Sequence, residues 1–210
     1  MLSRRSLPSG RTLARHGAAA AVLALTLAAC SADPAEAPSA DASATTASAA
    51  DELLAAHDLA GLTAREVVDT LDATALDDRD AELMASIRPD ELLLTDADGT
   101  EASLPMPDDA FYVSLAPYVD TTHECYFHSL TTCTGEMQGE DIDVTVTDVE
   151  TGEVLVDEEM TTFDNGFVGL WLPRDAELDV TISQDGLSAT ERLSTDDAED
   201  ATCVTTMQLA

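Results

Sequence analysis

DIDVTVTDVETGEVLV, residues 141–156, decides how the larger part of this chain is built. Ile142, Val144 and Val146 alternate with Asp143, Thr145 and Thr147, the period of two expected of a strand with one buried and one wet face. Thr151-Gly152 then turns the chain into a second apolar run, Val154-Leu155-Val156. The same grammar continues downstream. Residues 167–172 form an apolar run that stops at Pro173. Leu178, Val180 and Ile182 alternate again before a hairpin turn at Asp185-Gly186, and residues 202–209 read as a last strand.

Upstream, residues 111–119 are aromatic and apolar, and Glu91-Leu92-Leu93-Leu94-Thr95 is a strand without visible alternation that turns at Asp98-Gly99. Short strands with regularly spaced turns imply a mainly antiparallel, β-sandwich-like domain. All eight aromatic residues fall between Phe111 and Trp171, so the main core is expected there.

Residues 51–80 read as helical. Leu53, Leu54 and His57 share one face, and Thr63-Ala64-Arg65-Glu66 is a capping box with Leu62 and Val67 placed as its hydrophobic staple. Val67, Val68 and Leu71 make a narrow apolar stripe. A stripe this narrow cannot form a core alone, so the helices must pack on the β-domain or on a second copy of the chain. The fold class is therefore α+β, with a helical segment over 51–80 and a β-domain over 81–210.

The N-terminus reads as an export signal. Arg4, Arg5, Arg11 and Arg15 precede the apolar run 18–29, which is too short to span a bilayer. Leu27-Ala28-Ala29-Cys30 resembles a bacterial lipobox, which implies cleavage after residue 29 and a lipid on Cys30. Residues 30–50 are almost wholly Ser, Ala, Thr, Pro, Asp and Glu and read as a disordered tether. These features place the folded part at the outer face of the cell membrane.

All nine basic residues are arginines, and removal of the signal leaves five of them against 42 acidic residues. Nucleic acid needs a basic surface and is excluded as a partner. Anionic lipid surfaces are disfavoured too.

One segment stands apart from this acidic background. THECYFHSLTTC, residues 122–133, holds His123, Cys125, His128 and Cys133, half of the four histidines and four cysteines in the chain. With Cys30 lipidated, Cys125, Cys133 and Cys203 remain, an odd number for an oxidising compartment. One disulfide plus one buried thiol accounts for that number, and so does a metal site. His123 and Cys125 share a face in an extended chain, Cys125 and His128 in a helical turn. Cys203, Met207 and Leu209 have one parity, so Cys203 is expected to face the core from the start of the last strand.

Two or three thiolates with imidazole suit Cu(I) or Zn(II), and spacing alone does not separate these ions. Zinc sites usually show paired C-x₂₋₄-C spacing, absent here, whereas Cu(I) accepts two or three soft ligands. Competing readings are a thiol-disulfide redox protein, which lacks its C-x-x-C motif, and a structural domain stapled by a disulfide without metal.

Taken in order, the motifs carry a family likeness. They are Met84-Ala85-Ser86 with Arg88-Pro89-Asp90, FYVSLAPYV over 111–119, Thr122-His123-Glu124-Cys125, His128 to Cys133, Gly135-Glu136, residues 161–167, Trp171-Leu172-Pro173-Arg174, and residues 201–206. This series resembles the CueP family of extracytoplasmic copper-binding proteins over roughly residues 51–210. The resemblance implies copper binding and copper tolerance outside the cytoplasm, with three functional cysteines that map onto Cys125, Cys133 and Cys203. His123 and His128 join them as candidate ligands. Copper, with zinc as a substitute, is the implied ion, held as Cu(I) or reduced from Cu(II) by the thiols. A copper-accepting protein is the implied partner, and a homodimer through the helical segment is a further expectation. The chain reads as a binding protein, without catalytic turnover assigned to it.

Overall fold

The computed structural model describes residues 49–210. The export signal, Cys30 and most of the tether lie outside the described residues. No helix among the described residues is long and apolar enough to cross a membrane.

Residues 49–56 are helical, and a turn through Asp58 and Gly61, both at positive φ, leads to the helix Ala64–Asp72. Its capping box forms as the sequence predicts. The Thr63 N–H donates to Glu66 Oε2 at 2.8 Å, and the Glu66 N–H returns to Thr63 Oγ1 at 3.4 Å. Leu62 and Val67 join the same apolar cluster, as a staple should. A 3₁₀ turn, Leu76–Asp78, ends the helical part.

Ten strands follow: β1 Leu83–Ile87, β2 Glu91–Asp96, β3 Glu101–Pro105, β4 Phe111–Leu115, β5 Asp141–Asp148, β6 Val154–Thr161, β7 Val168–Leu172, β8 Glu177–Gln184, β9 Leu187–Ser194 and β10 Cys203–Val204. They form three sheets with orders β1-β2-β3, β10-β4-β7 and β6-β5-β8-β9. Every pairing is antiparallel except β10 on β4.

The sheet β10-β4-β7 is the centre of the molecule, because β4 buries both faces. Phe111, Val113 and Leu115 face one way and meet Ile142, Val144 and Val146 of β5 and Leu178, Val180 and Ile182 of β8. This is the sandwich that residues 141–156 foretell. Tyr112 faces the other way and joins a second core built from the helices and the β1-β2-β3 sheet. The helical stripe thus finds its partner within the chain. The three leucines of β2 do alternate: Leu92 and Leu94 are buried and Leu93 is half-buried.

Cys203 does not share the side of Met207 and Leu209 that its parity predicts. Cys203 is buried, but against Ala116 and Phe167, while Val204, Met207 and Leu209 pack into the sandwich core. The last strand is only two residues long, so side-chain alternation does not carry through Thr205 and Thr206 to Met207.

Candidate metal centre

Residues 119–135 form no long regular element, so side chains and scattered backbone bonds hold them. The Glu136 carboxylate accepts the N–H groups of Val119, Asp120 and Thr121 at 2.9–3.3 Å. The bond from Thr121 does most to hold this carboxyl below the usual glutamate range, and those from Asp120 and Val119 add to it. Thr122 Oγ1 donates to the Thr205 carbonyl at 2.7 Å. The Tyr126 carbonyl accepts from the N–H groups of Thr202 and Cys203 at 3.0 and 3.1 Å, which seats the loop against the start of β10. Thr202 is a knot between three segments: its hydroxyl accepts the His128 N–H at 3.0 Å and donates to the Ile87 carbonyl at 2.9 Å.

Replacing Glu136 by alanine frees those three N–H groups. The amides of Val119, Asp120 and Thr121 should then exchange with solvent several-fold faster, while amides of β5 and β8 keep their protection. Because the carboxyl is lowered in the folded state, its hold is complete above the unfolded glutamate range and is lost as pH falls through the lowered value. Unchanged exchange at residues 119–121 in the variant would remove Glu136 as the latch.

Four of the five predicted site residues lie on this loop, and the fifth, Cys203, lies on β10 beside it. The ligand atoms of His123, Cys125 and Cys133 lie within 4.8 Å of one another, as do those of His128, Cys133 and Cys203. Two triads therefore share the Cys133 sulfur. The outer one is open to solvent through exposed His123, and the inner one ends on buried His128 and Cys203.

Cys125 and Cys203 are joined as a disulfide, with Cα atoms 5.7 Å apart. Cys133 is the free thiol among the described residues, its Sγ 3.6 Å from Cys125 Sγ and 3.4 Å from the donating Ser129 N–H. Ala116 and Phe167 form an apolar floor beneath the sulfurs. Phe167 lies 4.6 Å from the His128 ring and 6.2 Å from the His123 ring, between centroids. A cavity of about 620 Å³, lined by His123, Cys125, Tyr118 and Tyr126 among others, opens beside the outer triad.

Charge is arranged to suit thiolate chemistry. Burial opposes ionisation of Cys133, but the His128 imidazole, the Ser129 N–H and the nearby Arg79 outweigh it and hold the thiol below its ordinary range. Burial alone would lower His128. The Asp72 carboxylate and Cys133 reverse this and raise it to about 9.

Residues 66–208 match the sequence profile of a family described as periplasmic copper-binding protein CueP. The chain belongs to the CueP family. The crystal structure of S.CueP is similar at 40% sequence identity and a TM-score of 0.71, covering 77% of this chain and 97% of that one. No curated protein matches. The CueP match includes all five site residues and also Asp72, which sequence reasoning passed over.

Asp72 is fully buried at the end of the helix Ala64–Asp72. Its Oδ1 is 3.0 Å from His128 Nε2 and accepts from Asn165 Nδ2 at 2.8 Å, and its Oδ2 accepts from the hydroxyls of Tyr112 at 2.5 Å and Ser114 at 3.0 Å. Burial favours the neutral acid, but His128 first, then Tyr112 and Asn165, hold the carboxyl below its usual range. A signal was present in this CueP-family sequence. Asp72 stands four residues after Val68, on the buried stripe of its helix. Among so many acidic residues it does not stand out.

Proposed function

We propose that this chain captures copper outside the cytoplasm, holding Cu(I) by the thiolates of Cys125, Cys133 and Cys203 with imidazole nitrogen beside them. The observation that carries this reading is that three sulfurs and two histidines form two triads sharing the Cys133 sulfur in a CueP-family chain. Soft thiolates with imidazole suit Cu(I), and zinc is the expected substitute.

With the Cys125–Cys203 disulfide formed, the site offers one thiolate; reduced, it offers three. The same sulfurs can supply electrons: two thiolates reduce two Cu(II) ions to Cu(I) and become one disulfide, with no atom left over. Repetition of that step requires an external thiol reductant. The outer triad, open beside its cavity, receives the ion, and the inner triad retains it against solvent. A lipid on Cys30 would keep this exchange at the membrane's outer face, and release would be to a copper-accepting protein.

The bond between Cys125 and Cys203 also favours a second reading, a disulfide-stapled domain without metal. One titration separates them. The reduced chain, given Cu(I) in the presence of a colorimetric chelator, should take the ion from the chelator, and Cys125→Ser should weaken uptake about tenfold or more. Failure to compete at micromolar chelator, with no change in Cys125→Ser, would sink the copper reading and leave the staple.

A further inference from the structure

The buried network around Asp72 ties a helix end to β4 and also aims one carboxylate oxygen at a histidine of the inner triad. A carboxylate at the last residue of a helix opposes the helix dipole, and full burial adds a desolvation cost. Asp72 nevertheless sits there, fixed by the side chains of Tyr112, Ser114 and Asn165, which come from β4 and from the turn before β7. Asn165 is itself held, since its Oδ1 accepts the Phe167 N–H at 2.9 Å and its Nδ2 also reaches the Asp72 carbonyl at 3.1 Å. A carboxylate gripped from three sides cannot turn.

What this carboxylate presents is one oxygen to His128 Nε2. The other ring nitrogen, Nδ1, is buried and has no hydrogen-bond partner. His128 is wholly enclosed, and its ligand atom lies within 4.8 Å of the Cys133 and Cys203 sulfurs. The Cys133 sulfur that acts on this ring stands near that nitrogen without ordinary hydrogen-bond geometry, which leaves Nδ1 placed for a metal. A metal-bound imidazole typically gives its second nitrogen to a carboxylate, which sets ring orientation and raises ligand strength.

We propose that Asp72 is a positioning residue for the metal. By occupying Nε2 it makes Nδ1 the ligating atom of His128 and aims it at Cys133 and Cys203. The helix Ala64–Asp72 thereby becomes part of the inner triad without touching the ion. This inference rests on the copper-binding reading for its consequence, though not for its geometry.

The test compares the full reduced chain with Asp72→Asn, His128→Ala and the double variant, by Cu(I) competition and by proton NMR of the metal-free protein. Asp72→Asn should weaken Cu(I) binding about 10- to 100-fold. The double variant should bind little worse than His128→Ala alone, because both changes remove one interaction. In the metal-free protein, the downfield Nε2–H resonance of His128 should be present in the wild type and shifted or lost in Asp72→Asn, a change that a mere pin between helix and sheet would not require.

Affinity within about twofold of the wild type, or losses that add in full, would overturn the proposal. Where Asp72→Asn does not fold, Tyr112→Phe and Ser114→Ala serve instead: each loosens the carboxylate, and each should weaken Cu(I) binding several-fold, with no change overturning the idea. If the wild-type chain takes up no Cu(I), the copper reading fails by itself. The His128 resonance then decides whether Asp72 orients the ring.

Discussion

Reducing the Cys125–Cys203 disulfide in metal-free protein is expected to lower stability by about 4 kcal/mol. The bond closes a loop with a sequence separation of 78. Opening a loop of that length returns chain entropy to the unfolded state on roughly this scale. For a domain of this size the loss corresponds to a fall in Tm of roughly 10 °C. Cu(I) should restore much of it, because an ion that binds only the folded state, at about 100 times its Kd, contributes roughly 2.7 kcal/mol. Thermal unfolding of oxidised, reduced and reduced copper-loaded protein gives all three values. Coincident melting of the oxidised and reduced forms would mean that the bond does not constrain the chain. Copper that restores nothing would mean that the ion does not bridge the same segments.

Gly169→Ala should be the most damaging single change outside the sulfur set. Gly169 lies in β7 opposite Ser114, and an added Cβ would fall 1.9 Å from the Tyr112 hydroxyl and 2.6 Å from its Cζ. Tyr112 has no room to retreat. It is buried, its ring lies 4.7 Å from that of Trp171, and its hydroxyl is tied to Asp72. Overpacking of this kind costs about 1–3 kcal/mol, and detaching a buried donor from its acceptor adds about 1–3 kcal/mol. A loss of about 3 kcal/mol or more in denaturant unfolding is therefore expected. In a Tyr112→Phe background the same glycine change should cost less, since the nearest atom is gone. An effect below about 0.5 kcal/mol, the range of ordinary surface substitutions, would show that the ring moves aside freely.

The sandwich was legible because its strands obey one rule. Ile142, Val144 and Val146, and again Leu178, Val180 and Ile182, alternate cleanly, since β5 and β8 bury one face and wet the other. The capping box at Thr63 was legible for an equally local reason. β1 and β3 were not read, because Leu83–Ile87 and Glu101–Pro105 are short and mix Ser, Ala and Pro into their apolar runs. At the site, the scarcity of Cys and His picked out all five ligand candidates. The groups that orient them stayed hidden. Glu136 stood within the family-like motif series without a role that its spacing could show, and Asp72 acquires its meaning only where a helix end, β4 and the turn at Asn165 converge. Such meetings are set by topology, and no spacing along the chain reports them.

The three sulfurs and two imidazoles come from a short loop and from a strand far along the polypeptide, and only the completed fold gathers them. In the reduced, unfolded chain Cys203 explores a large volume around the other two thiols, so its effective concentration there is that of a dilute small-molecule thiol. The unfolded chain is thus an ordinary scavenger, in equilibrium with every other thiol around it. On the copper-binding proposal, retention of the ion would be a readout of successful folding, and a reduced chain that loses its tertiary structure would release it.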